Sequence, residues 1–150
     1  MNKKIITKSF DELTSKELHD IIQLRLEVFV VEQNAIYQDL DGLDFDSMHY
    51  FIKDDDQIVS YIRTLPKGLK FEDSSSLGRV VTNPSYRNKG LSRLLIQKGI
   101  EDLLLTELVI TIEGQSYLKS FYESFGFEVI SALYLVDGID HYKMRLTKPL

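Results

Sequence analysis

The stretch Leu77-Gly78-Arg79-Val80-Val81-Thr82-Asn83-Pro84-Ser85-Tyr86-Arg87-Asn88-Lys89-Gly90-Leu91-Ser92 changes character twice along its length. Residues 77–81 are Val-rich and apolar, which predicts a short buried strand. Residues 83–86 predict a turn, because proline fixes φ and the Asn and Ser side chains bond to the local backbone. Residues 91–105 place leucine and isoleucine at helical spacing and predict a helix that packs on a sheet. The stretch therefore predicts a strand, a turn, a basic loop and a helix in that order.

The basic loop, residues 87–92, has the features of an anion-binding site. The first N–H groups of a helix have no partner within the helix and lie at the positive end of its dipole, so they attract negative groups. Gly90 can take a positive φ and lets a diphosphate approach the backbone. Arg87 and Lys89 add positive charge, and the Ser92 hydroxyl can donate a hydrogen bond. The chain has no GxxxxGK[ST] and no GxGxxG after a first strand, so neither a P-loop nor a Rossmann nucleotide site is indicated.

Charge is distributed unevenly around this loop. The net charge of the chain is −5, yet residues 74–100 contain no Asp or Glu and hold five basic residues, Arg79, Arg87, Lys89, Arg93 and Lys98. A cationic segment in an acidic protein favours a small anionic ligand at that place, whereas chance clustering on a solvated helix face is the alternative. The acidic total argues against nonspecific nucleic-acid binding.

Length and composition limit the remaining possibilities. The 150 residues suit one domain with its own core, and 43% apolar and 27% charged residues are ordinary for a globular protein. No apolar run reaches the roughly 18 residues of a spanning helix, and the N-terminus has no signal-peptide core, so we expect no membrane partner and a cytoplasmic location. The absence of cysteine excludes disulfides, thiolate metal ligands and a cysteine nucleophile. The three histidines are far apart in sequence, so no metal site is expected.

The other segments predict further strands and helices. Thr14 and Glu17 fit a capping box that starts a helix over about 15–30. Gly126 ends another helix that begins near residue 116. Strands are predicted at 5–10, 49–53, 58–65, 108–112, 127–130 and 142–146, with an irregular connection at 32–47. Strands that cluster in the middle and alternate with helices later predict an α/β fold, a mixed sheet with helices on both faces.

Two segments resemble signatures of the GNAT N-acetyltransferase superfamily. The loop Arg87-x-x-Gly90-x-Ser92 resembles its Arg/Gln-x-x-Gly-x-Gly/Ala signature, with serine at the last small position. The segment Phe121-Tyr122-Glu123-Ser124-Phe125-Gly126-Phe127 resembles its FYxxxGF segment. The phenylalanines are also ordinary core residues at helical spacing. Tyr122 is different, because a phenol with a pKa of about 10 can protonate a departing thiolate.

A more specific resemblance, to the ElaA-like branch of this superfamily, covers nearly the whole chain. Its marks are Arg25-x-Glu27-Val28-Phe29-Val30-Val31-Glu32-Gln33, Tyr37-Gln38-Asp39-Leu40-Asp41-Gly42-Leu43-Asp44, His49, Arg63, Gly78-Arg79-Val80, Gln115-x-x-Leu118 and Asp137-Gly138-Ile139-x-His141. The chain departs from the branch pattern at Ala35-Ile36, where Cys-Pro is usual, and at Asp140, where proline is usual. Neither departure touches the basic loop.

The resemblance implies a fold, a reaction and a set of site residues. The fold is a central mixed, mostly antiparallel sheet of six to seven strands flanked by about four helices, as a single GNAT acyltransferase domain over residues 1–150. The reaction is direct transfer of an acetyl group from the cosubstrate acetyl-CoA to an amine, without a metal. The cofactor-binding residues are Arg79, Val80 and Val81 for pantetheine and thioester, and Arg87, Asn88, Lys89, Gly90, Leu91 and Ser92 for the diphosphate. The resemblance makes Tyr122 the general acid for coenzyme A, and it places the Val80 or Val81 amide near the oxyanion.

The general base is not fixed by the resemblance. Many relatives carry a carboxylate about where Leu77 stands, and this chain has none there. The candidates are Glu32, Asp44, His49, Glu113 and His141. Glu32 and His141 rank first because they lie in branch motifs, and for each candidate a purely structural role is the alternative.

The acidic loop and the overall activity each leave alternatives open. Asp39, Asp41, Asp44 and Asp46 either draw a cationic amine toward the acceptor site or cap turns in a solvated loop. A non-catalytic acyl-CoA-binding module would use the basic loop without needing a base, although the retained Tyr122 argues against it. A nucleotide or phosphate-sugar binder would use the same loop for a different phosphate. The amine acceptor is not indicated, and closing strands at a sheet edge could pair between two subunits as a homodimer.

Overall fold

The first half of the chain forms an antiparallel sheet of four strands. The computed structural model describes residues 1–150. Its strands are β1 (Ile5–Ser9), β2 (Met48–Asp54), β3 (Gln57–Leu65) and β4 (Ser76–Thr82), and they lie in the order β1-β2-β3-β4. All three pairings are antiparallel. The sheet therefore ends on β4, the strand that leads into the basic loop.

The second half forms another sheet that meets the first at one bridge. It contains β5 (Val109–Gln115), β6 (Glu128–Val129), β7 (Tyr134–Val136) and β8 (Ile139–Thr147), in the order β5-β8-β6 with β7 also paired to β8. Ser75, just before β4, forms an isolated parallel bridge with Ile110 of β5. The Ser75 N–H donates to the Val109 carbonyl at 3.2 Å, and the Thr111 N–H donates to the Ser75 carbonyl at 2.9 Å. The hydrogen bonding between the two strands does not continue beyond this bridge. The facing edges of β4 and β5 are therefore not paired with each other.

Three α-helices connect these strands. They are α1 (Ser15–Leu26), α2 (Leu91–Leu103) and α3 (Lys119–Glu123). The predicted capping box is confirmed: the Glu17 N–H donates to Thr14 Oγ1 at 3.0 Å, and the Thr14 N–H donates to Glu17 Oε1 at 2.9 Å. None of these helices has both the length and the apolar character required to cross a membrane.

The helix predicted over 15–30 changes geometry at its C-terminal end. After α1, the chain forms a π-helical turn over Glu27–Glu32. The Gln33 N–H donates to the Val28 carbonyl at 3.1 Å, and the Ala35 N–H donates to the Val30 carbonyl at the same distance, both five residues back. Such a turn holds more residues than an α-helical turn and commonly lies at functional sites. Here it forms part of the cleft described below.

Alternation along β2 gives the first sheet two buried faces. Tyr50 and Ile52 belong to a core cluster that also contains Leu95 and Ile96 of α2. Phe51, between them, belongs to a second cluster with Ile21 and Leu24 of α1. Successive strand residues point to opposite faces, so one strand serves both cores. Each such large apolar side chain, once buried, stabilises the fold by about 1.5–3 kcal/mol.

The predicted α/β architecture, a mostly antiparallel mixed sheet with helices on both faces, is confirmed. The details differ from the six to seven strands and about four helices that were expected. The structure has eight strands and three α-helices. The strand predicted at 127–130 is shortened to the two residues of β6, and the additional strand is β7, which follows it. The single sheet is also divided in two by the missing ladder between β4 and β5.

Candidate functional site

A cleft of about 600 Å³ opens where β4 and β5 part. It is bounded by the π-helical turn, β4, the basic loop, the start of α2, β5, α3 and the β7–β8 hairpin. The predicted site residues that line it are Glu32, Arg79, Val80, Val81, Arg87, Asn88, Gly90, Leu91, Ser92, Tyr122 and His141. Residues from distant parts of the chain thus share one cavity. Among the predicted cofactor-binding residues, Lys89 alone lies outside the lining, and the base candidates Asp44 and His49 also lie outside it.

The basic loop presents free backbone amides to this cleft. Gly90 is the N-cap of α2 with φ of 74°, and Asn88 has φ of 64°. The N–H groups of residues 88–93 have no acceptor in the protein, and the first bond of the helix runs from the Leu94 N–H to the Gly90 carbonyl at 3.1 Å. Unpaired amides at the start of a 13-residue helix form an anion site by geometry and by dipole.

Two side chains of this loop have local partners. The Lys89 ammonium lies over the Tyr86 ring, 5.2 Å from its centroid. Ser92 Oγ lies 2.7 Å from Thr82 Oγ1, which ties the start of α2 to the end of β4. These two side chains are therefore partly occupied within the protein, whereas the backbone amides of the loop are free.

Arg87 and Glu32 form an ion pair across the mouth of the cleft. Arg87 Nη2 lies 2.7 Å from Glu32 Oε1, and Nη1 lies 3.1 Å from Oε2, so the pair is bidentate. Both side chains are 41% exposed. Glu32, one of the two leading candidates for the general base, is therefore placed beside the anion-binding loop with both oxygens engaged.

Arg93 contributes to the cleft by joining α2 to α3. Its guanidinium lies 5.2 Å from the Phe121 ring centroid and 4.7 Å from that of Phe125. Arg93 Nη1 also donates to Ser124 Oγ at 3.1 Å. The sequence indicated only its charge, whereas the structure gives it a packing role against the helix that carries Tyr122.

Tyr122 places a protonated hydroxyl in the cleft. Its side chain is 6% exposed and packs on Gly114 of β5, where an added Cβ would lie 3.1 Å from Tyr122 Cδ2. The hydroxyl has no hydrogen-bond partner in the protein, and yet it is not enclosed away from the cleft. Burial, with the nearby Tyr117, raises the pKa of the Tyr122 phenol above its usual value. The group therefore keeps its proton at neutral pH and can donate it to an anion.

His141 presents one ring nitrogen as a proton acceptor. It lies on β8 opposite Gln115 of β5, and its Nδ1 is 2.7 Å from the Ile139 carbonyl oxygen. A carbonyl oxygen only accepts hydrogen bonds, so Nδ1 carries a proton and the neutral ring has its lone pair on Nε2. Nε2 has no partner within the protein, and His141 lines the cleft. An imidazole oriented in this way can take a proton from a bound molecule.

The other base candidates are held in roles that disfavour proton transfer in the cleft. Burial raises the pKa of Glu113, but an ion pair with Lys70 at 2.9 Å and a hydrogen bond from Tyr134 outweigh it, so the net pKa is lowered. His49 does not line the cleft. Its Nε2 donates to the Asp44 carbonyl at 2.9 Å, and its Nδ1 lies 2.6 Å from the Tyr61 hydroxyl.

Two of the four aspartates of the acidic loop, Asp39 and Asp44, are neither solvated nor free to attract an amine. Asp39 is 0% exposed and Asp44 is 8% exposed. Arg25 donates from Nε to Asp39 Oδ2 and from Nη1 to Asp44 Oδ1, each at 2.7 Å. Both interpretations of this loop from the sequence are therefore wrong for these two aspartates, because arginines from other elements neutralise them inside the protein.

A second arginine completes the pairing from β3. Arg63 Nη2 lies 2.6 Å from Asp41 Oδ2, and Arg63 Nη1 lies 2.9 Å from Asp44 Oδ1. With Arg79, which also contacts this loop, the structure assembles three arginines and three aspartates: Arg25, Arg63, Arg79, Asp39, Asp41 and Asp44. We call these six residues the buried charge cluster, because Arg25, Asp39, Asp44 and Arg63 are buried. All six belong to the branch motifs of the sequence.

Several cleft residues were not predicted as site residues, although all of them except Gly114 lie in the branch motifs. Tyr37, Gln33, Gly114, Gln115 and Asp137 are brought to the cavity or its wall by the fold. Gln115 Nε2 lies 3.5 Å from Gln33 Oε1, which spans the two sides of the cleft. No three or more His, Asp or Glu side chains are grouped so that they could hold a metal ion.

Comparison with known proteins agrees with this geometry. Residues 12–148 match the family described as acetyltransferase (GNAT) domain. Protein ElaA of Escherichia coli is 35% identical over 137 residues, 89% of each chain, and its crystal structure superposes with a TM-score of 0.86 over 95% of this chain and 98% of ElaA. An acyl-CoA N-acyltransferase from Pseudomonas aeruginosa is 36% identical, with a TM-score of 0.87 over 95% and 97% of the two chains.

A more distant structure shares only the fold. The PaiA N-acetyltransferase from Thermoplasma acidophilum, in complex with coenzyme A, is 17% identical with a TM-score of 0.67 over 97% of this chain and 99% of that one. The family match covers most of the chain, and the identity to ElaA extends over nearly all of it. The chain belongs to the GNAT acetyltransferase family and, within it, to the ElaA-like branch.

Proposed function

We propose that residues 1–150 act as one domain that transfers the acetyl group of acetyl-CoA directly to an amine. The observation that carries the proposal is the content of one cleft: free amides at its α2 side, a protonated phenol on α3 and an oriented imidazole on β8. The coenzyme A bound to the PaiA relative supports the same cosubstrate, and the family supports acyl transfer.

The cosubstrate follows the line of the cleft. Its diphosphate binds the free amides of residues 88–92, and its pantetheine lies along the unpaired edge of β4. The Val80 or Val81 amide faces the thioester oxygen, where negative charge develops as the amine adds. Fixed donors at that point stabilise the transition state because they need no reorganisation during the reaction.

Proton transfers on the two sides of the thioester complete the reaction. An alkylamine with a pKa near 10.4 is neutral in only about one part in a few thousand at pH 7, so a base assists its attack. His141 Nε2 takes the proton as the nitrogen–carbon bond forms. The carbon–sulfur bond then breaks, and the Tyr122 hydroxyl gives its proton to the departing thiolate. His141 releases its extra proton to solvent and Tyr122 recovers one from solvent, so the enzyme returns to its starting state. The products are an amide and free coenzyme A.

This assignment separates the two leading base candidates. Glu32 lies at the phosphate side and pairs with Arg87, so its oxygens are committed before an amine arrives. His141 lies across the cleft with a free nitrogen. We therefore propose His141 as the base and Glu32 as a partner of Arg87.

Free-thiol release from acetyl-CoA with a panel of amines tests the transfer. Thiol release that depends on the amine, with the acetylated amine identified by mass spectrometry, is the expected result. Thermal stabilisation by acetyl-CoA without turnover on any amine would instead support the acyl-CoA-binding module. Stabilisation by ATP but not by coenzyme A would support the nucleotide alternative.

Two glycine variants test the location of the cosubstrate. Gly90 and Gly68 both have positive φ, 74° and 90°, and an added Cβ at either meets no atom within 4 Å. Alanine at each position costs a similar amount of stability, about 1–2 kcal/mol. Gly90→Ala is expected to weaken coenzyme A binding in calorimetry, whereas Gly68→Ala, on a turn outside the cleft, leaves it unchanged. Equal affinities for the two variants would contradict a diphosphate site on the basic loop.

A further inference from the structure

Arg79 holds an unusual backbone conformation in the wall of the cleft. Tyr61 of β3 pairs with Val81 of β4 and Arg63 pairs with Gly78, so two residues, Arg79 and Val80, oppose the single residue Ile62. This is a β-bulge, which bends its strand and re-aims the groups beside it. Arg79 has φ of +52°, in the left-handed region that a residue with a side chain adopts only when its surroundings compel it.

Asp39 supplies that constraint from behind the cleft wall. It is 0% exposed and does not line the cleft. Its carbonyl oxygen accepts a hydrogen bond from Arg79 Nη2 at 3.0 Å. Its Oδ1 lies 2.9 Å from Arg79 Nε, an ion pair in which the N–H does not point at the oxygen.

The same carboxylate also fixes a second residue of the cleft wall. The Tyr37 hydroxyl donates to Asp39 Oδ1 at 2.8 Å, and Tyr37 lines the cavity. Asp39 Oδ2 accepts from Arg25 Nε at 2.7 Å, which anchors the carboxylate to α1. A buried carboxylate with both oxygens engaged is rigid, because movement leaves buried polar atoms unpaired.

We infer that Asp39 is a positioning residue that acts through Arg79 to hold the β4 bulge in the shape that receives the acyl thioester. The inference rests on the proposed acyl transfer at this cleft. It gives the branch motif around residues 37–44 a role: these residues form the fixed back of the acyl site and do not attract the acceptor. The phosphate end of the cleft, which is built from the basic loop, does not depend on Asp39.

Asp44 provides a matched control within the buried charge cluster. It pairs with Arg25 and Arg63 but makes no contact with Arg79. Asp39→Asn and Asp44→Asn each leave three arginines with two aspartates, so both variants bury one uncompensated positive charge. A purely structural role predicts similar losses of stability and of kcat in the two variants. The positioning role predicts a kcat for Asp39→Asn that is lower than that of Asp44→Asn by about tenfold or more, with the Kd for coenzyme A unchanged in both.

Variants at Arg79 keep the test decisive if Asp39→Asn folds poorly. Glycine at position 79 adopts a positive φ without any contact that enforces it, whereas alanine does not. We expect Arg79→Gly to retain more kcat than Arg79→Ala. In the Arg79→Gly background, where Asp39→Asn restores an equal number of opposite charges, Asp39→Asn is expected to lower kcat no further. An equal reduction of kcat by Asp39→Asn in both backgrounds, or equal kcat for Asp39→Asn and Asp44→Asn, overturns the inference.

A binding measurement separates failure of this inference from failure of the proposed function. If the wild-type protein releases no thiol with any amine, the proposed transfer is wrong. The ratio of the Kd values for coenzyme A and acetyl-CoA then reports on the acyl site alone. A wild-type preference for acetyl-CoA that Asp39→Asn removes and Asp44→Asn keeps supports the positioning role, and a ratio that none of the variants alters overturns it.

Discussion

Arg87 Nη2 and Glu32 Oε1 lie 2.7 Å apart, although 55 residues separate them in the chain. The contact joins the π-helical turn after α1 to the loop before α2, and it occupies the arginine of the basic loop with a carboxylate. A phosphate that binds this loop meets a guanidinium already paired with an anion. Glu32 is therefore a competitor of the phosphate for Arg87.

This competition predicts tighter cofactor binding in Glu32→Gln. The pair is largely exposed, and such pairs contribute about 0.2–1 kcal/mol, so the Kd for coenzyme A is expected to fall by up to about fivefold at low salt. The gain disappears at high salt, because screening weakens exposed charges. Glu27→Gln, on the same turn but outside the cleft lining, is the control and leaves the Kd unchanged. A loss of kcat in Glu32→Gln with an unchanged Kd would favour Glu32 as the base.

Removal of the imidazole at His141 is expected to lower kcat strongly. His141→Gln deletes the Nε2 proton acceptor, and positioned general bases contribute about 10²–10⁴-fold to the rate. The Kd for acetyl-CoA stays unchanged, since the basic loop is intact. His19→Gln, on the exposed face of α1, serves as the control. Steady-state kinetics give kcat for both variants. A wild-type kcat in His141→Gln would exclude His141 as the base.

Loss of the Tyr122 hydroxyl is expected to affect departure of the thiolate. Tyr122→Phe keeps the ring on Gly114 and removes only the proton donor, so kcat falls by about 10²-fold or more while thermal stability is retained. Tyr117→Phe, which also lies in the cleft lining, provides a comparison with an exposed phenol. Similar kcat values for the two variants would show that Tyr122 serves only the core.

The charges that line the cleft predict an acceptor without a carboxylate. The three arginines in the lining are Arg79, paired within the buried charge cluster, and Arg87 and Arg93 on the side of α2. The opposite side carries Glu113 and Asp137, both acidic. The lining on the side of Glu113 and Asp137 therefore offers no cation to a carboxylate beside the amine, and repulsion there is costly.

A matched pair of amines measures this preference. 1,5-Diaminopentane and lysine differ by one carboxylate, and we expect kcat/KM to be higher for the diamine by about tenfold, which corresponds to about 1.4 kcal/mol. Asp137→Asn, which removes an exposed charge at the hairpin, is expected to reduce the difference. Equal or reversed values of kcat/KM for the two amines would contradict the prediction that the cleft disfavours an acceptor with a carboxylate.

Burial of His49 predicts a loss of stability in weak acid. Burial lowers the pKa of His49, and the bond from its ring to the Asp44 carbonyl and the Asp44 charge only partly oppose the effect. The unfolded chain, with a histidine pKa near 6.5, therefore binds a proton at a pH where the folded protein does not. The free energy of unfolding is constant above that value and falls as pH decreases toward the folded pKa.

Urea unfolding between pH 7.5 and 5 measures this slope. His49→Gln is expected to be less stable at pH 7.5 but to show a shallower pH dependence, and His19→Gln keeps the wild-type slope. If the free energy of unfolding of His49→Gln depends on pH between 7.5 and 5 as steeply as that of the wild type, another group causes the loss of stability.

Carboxylates contribute to the pH dependence of stability at lower pH than His49 does. Burial raises the pKa of Glu17, but bonds from Thr14 and Lys8 hold it at about 2, so its contribution is lost only below about pH 4.5.

The predictions from sequence that the structure confirms rest on local signals. Thr14 and Glu17 are three residues apart, and the left-handed Gly90 lies at the boundary between a loop and a helix. Capping boxes and helix N-termini are set by bonds within one turn, so a short segment contains the information they need. The strands predicted at 49–53 and 58–65 are likewise found, as β2 and β3.

The roles of charged residues required the tertiary structure. In the sequence, Glu32 ranked level with His141, and Glu113 and Asp44 ranked below them. Only the partners of these carboxylates, Arg87, Lys70 and the two arginines on Asp44, distinguish them from His141. Each partner comes from another element, and the register of strands and helices decides which charges meet. A carboxylate in the sequence has no pKa or function until that pairing is known.

The sequence by itself determined the family, the strand–loop–helix segment around Gly90 and the existence of most strands and helices, because these follow from adjacent residues and their periodicity. Only the tertiary structure decided that β4 parts from β5 after one bridge at Ser75, that Arg79 adopts a left-handed conformation at a bulge, and that Asp39 is buried behind it. Those features depend on strand register and on the burial of paired charges, which arise when distant segments pack together.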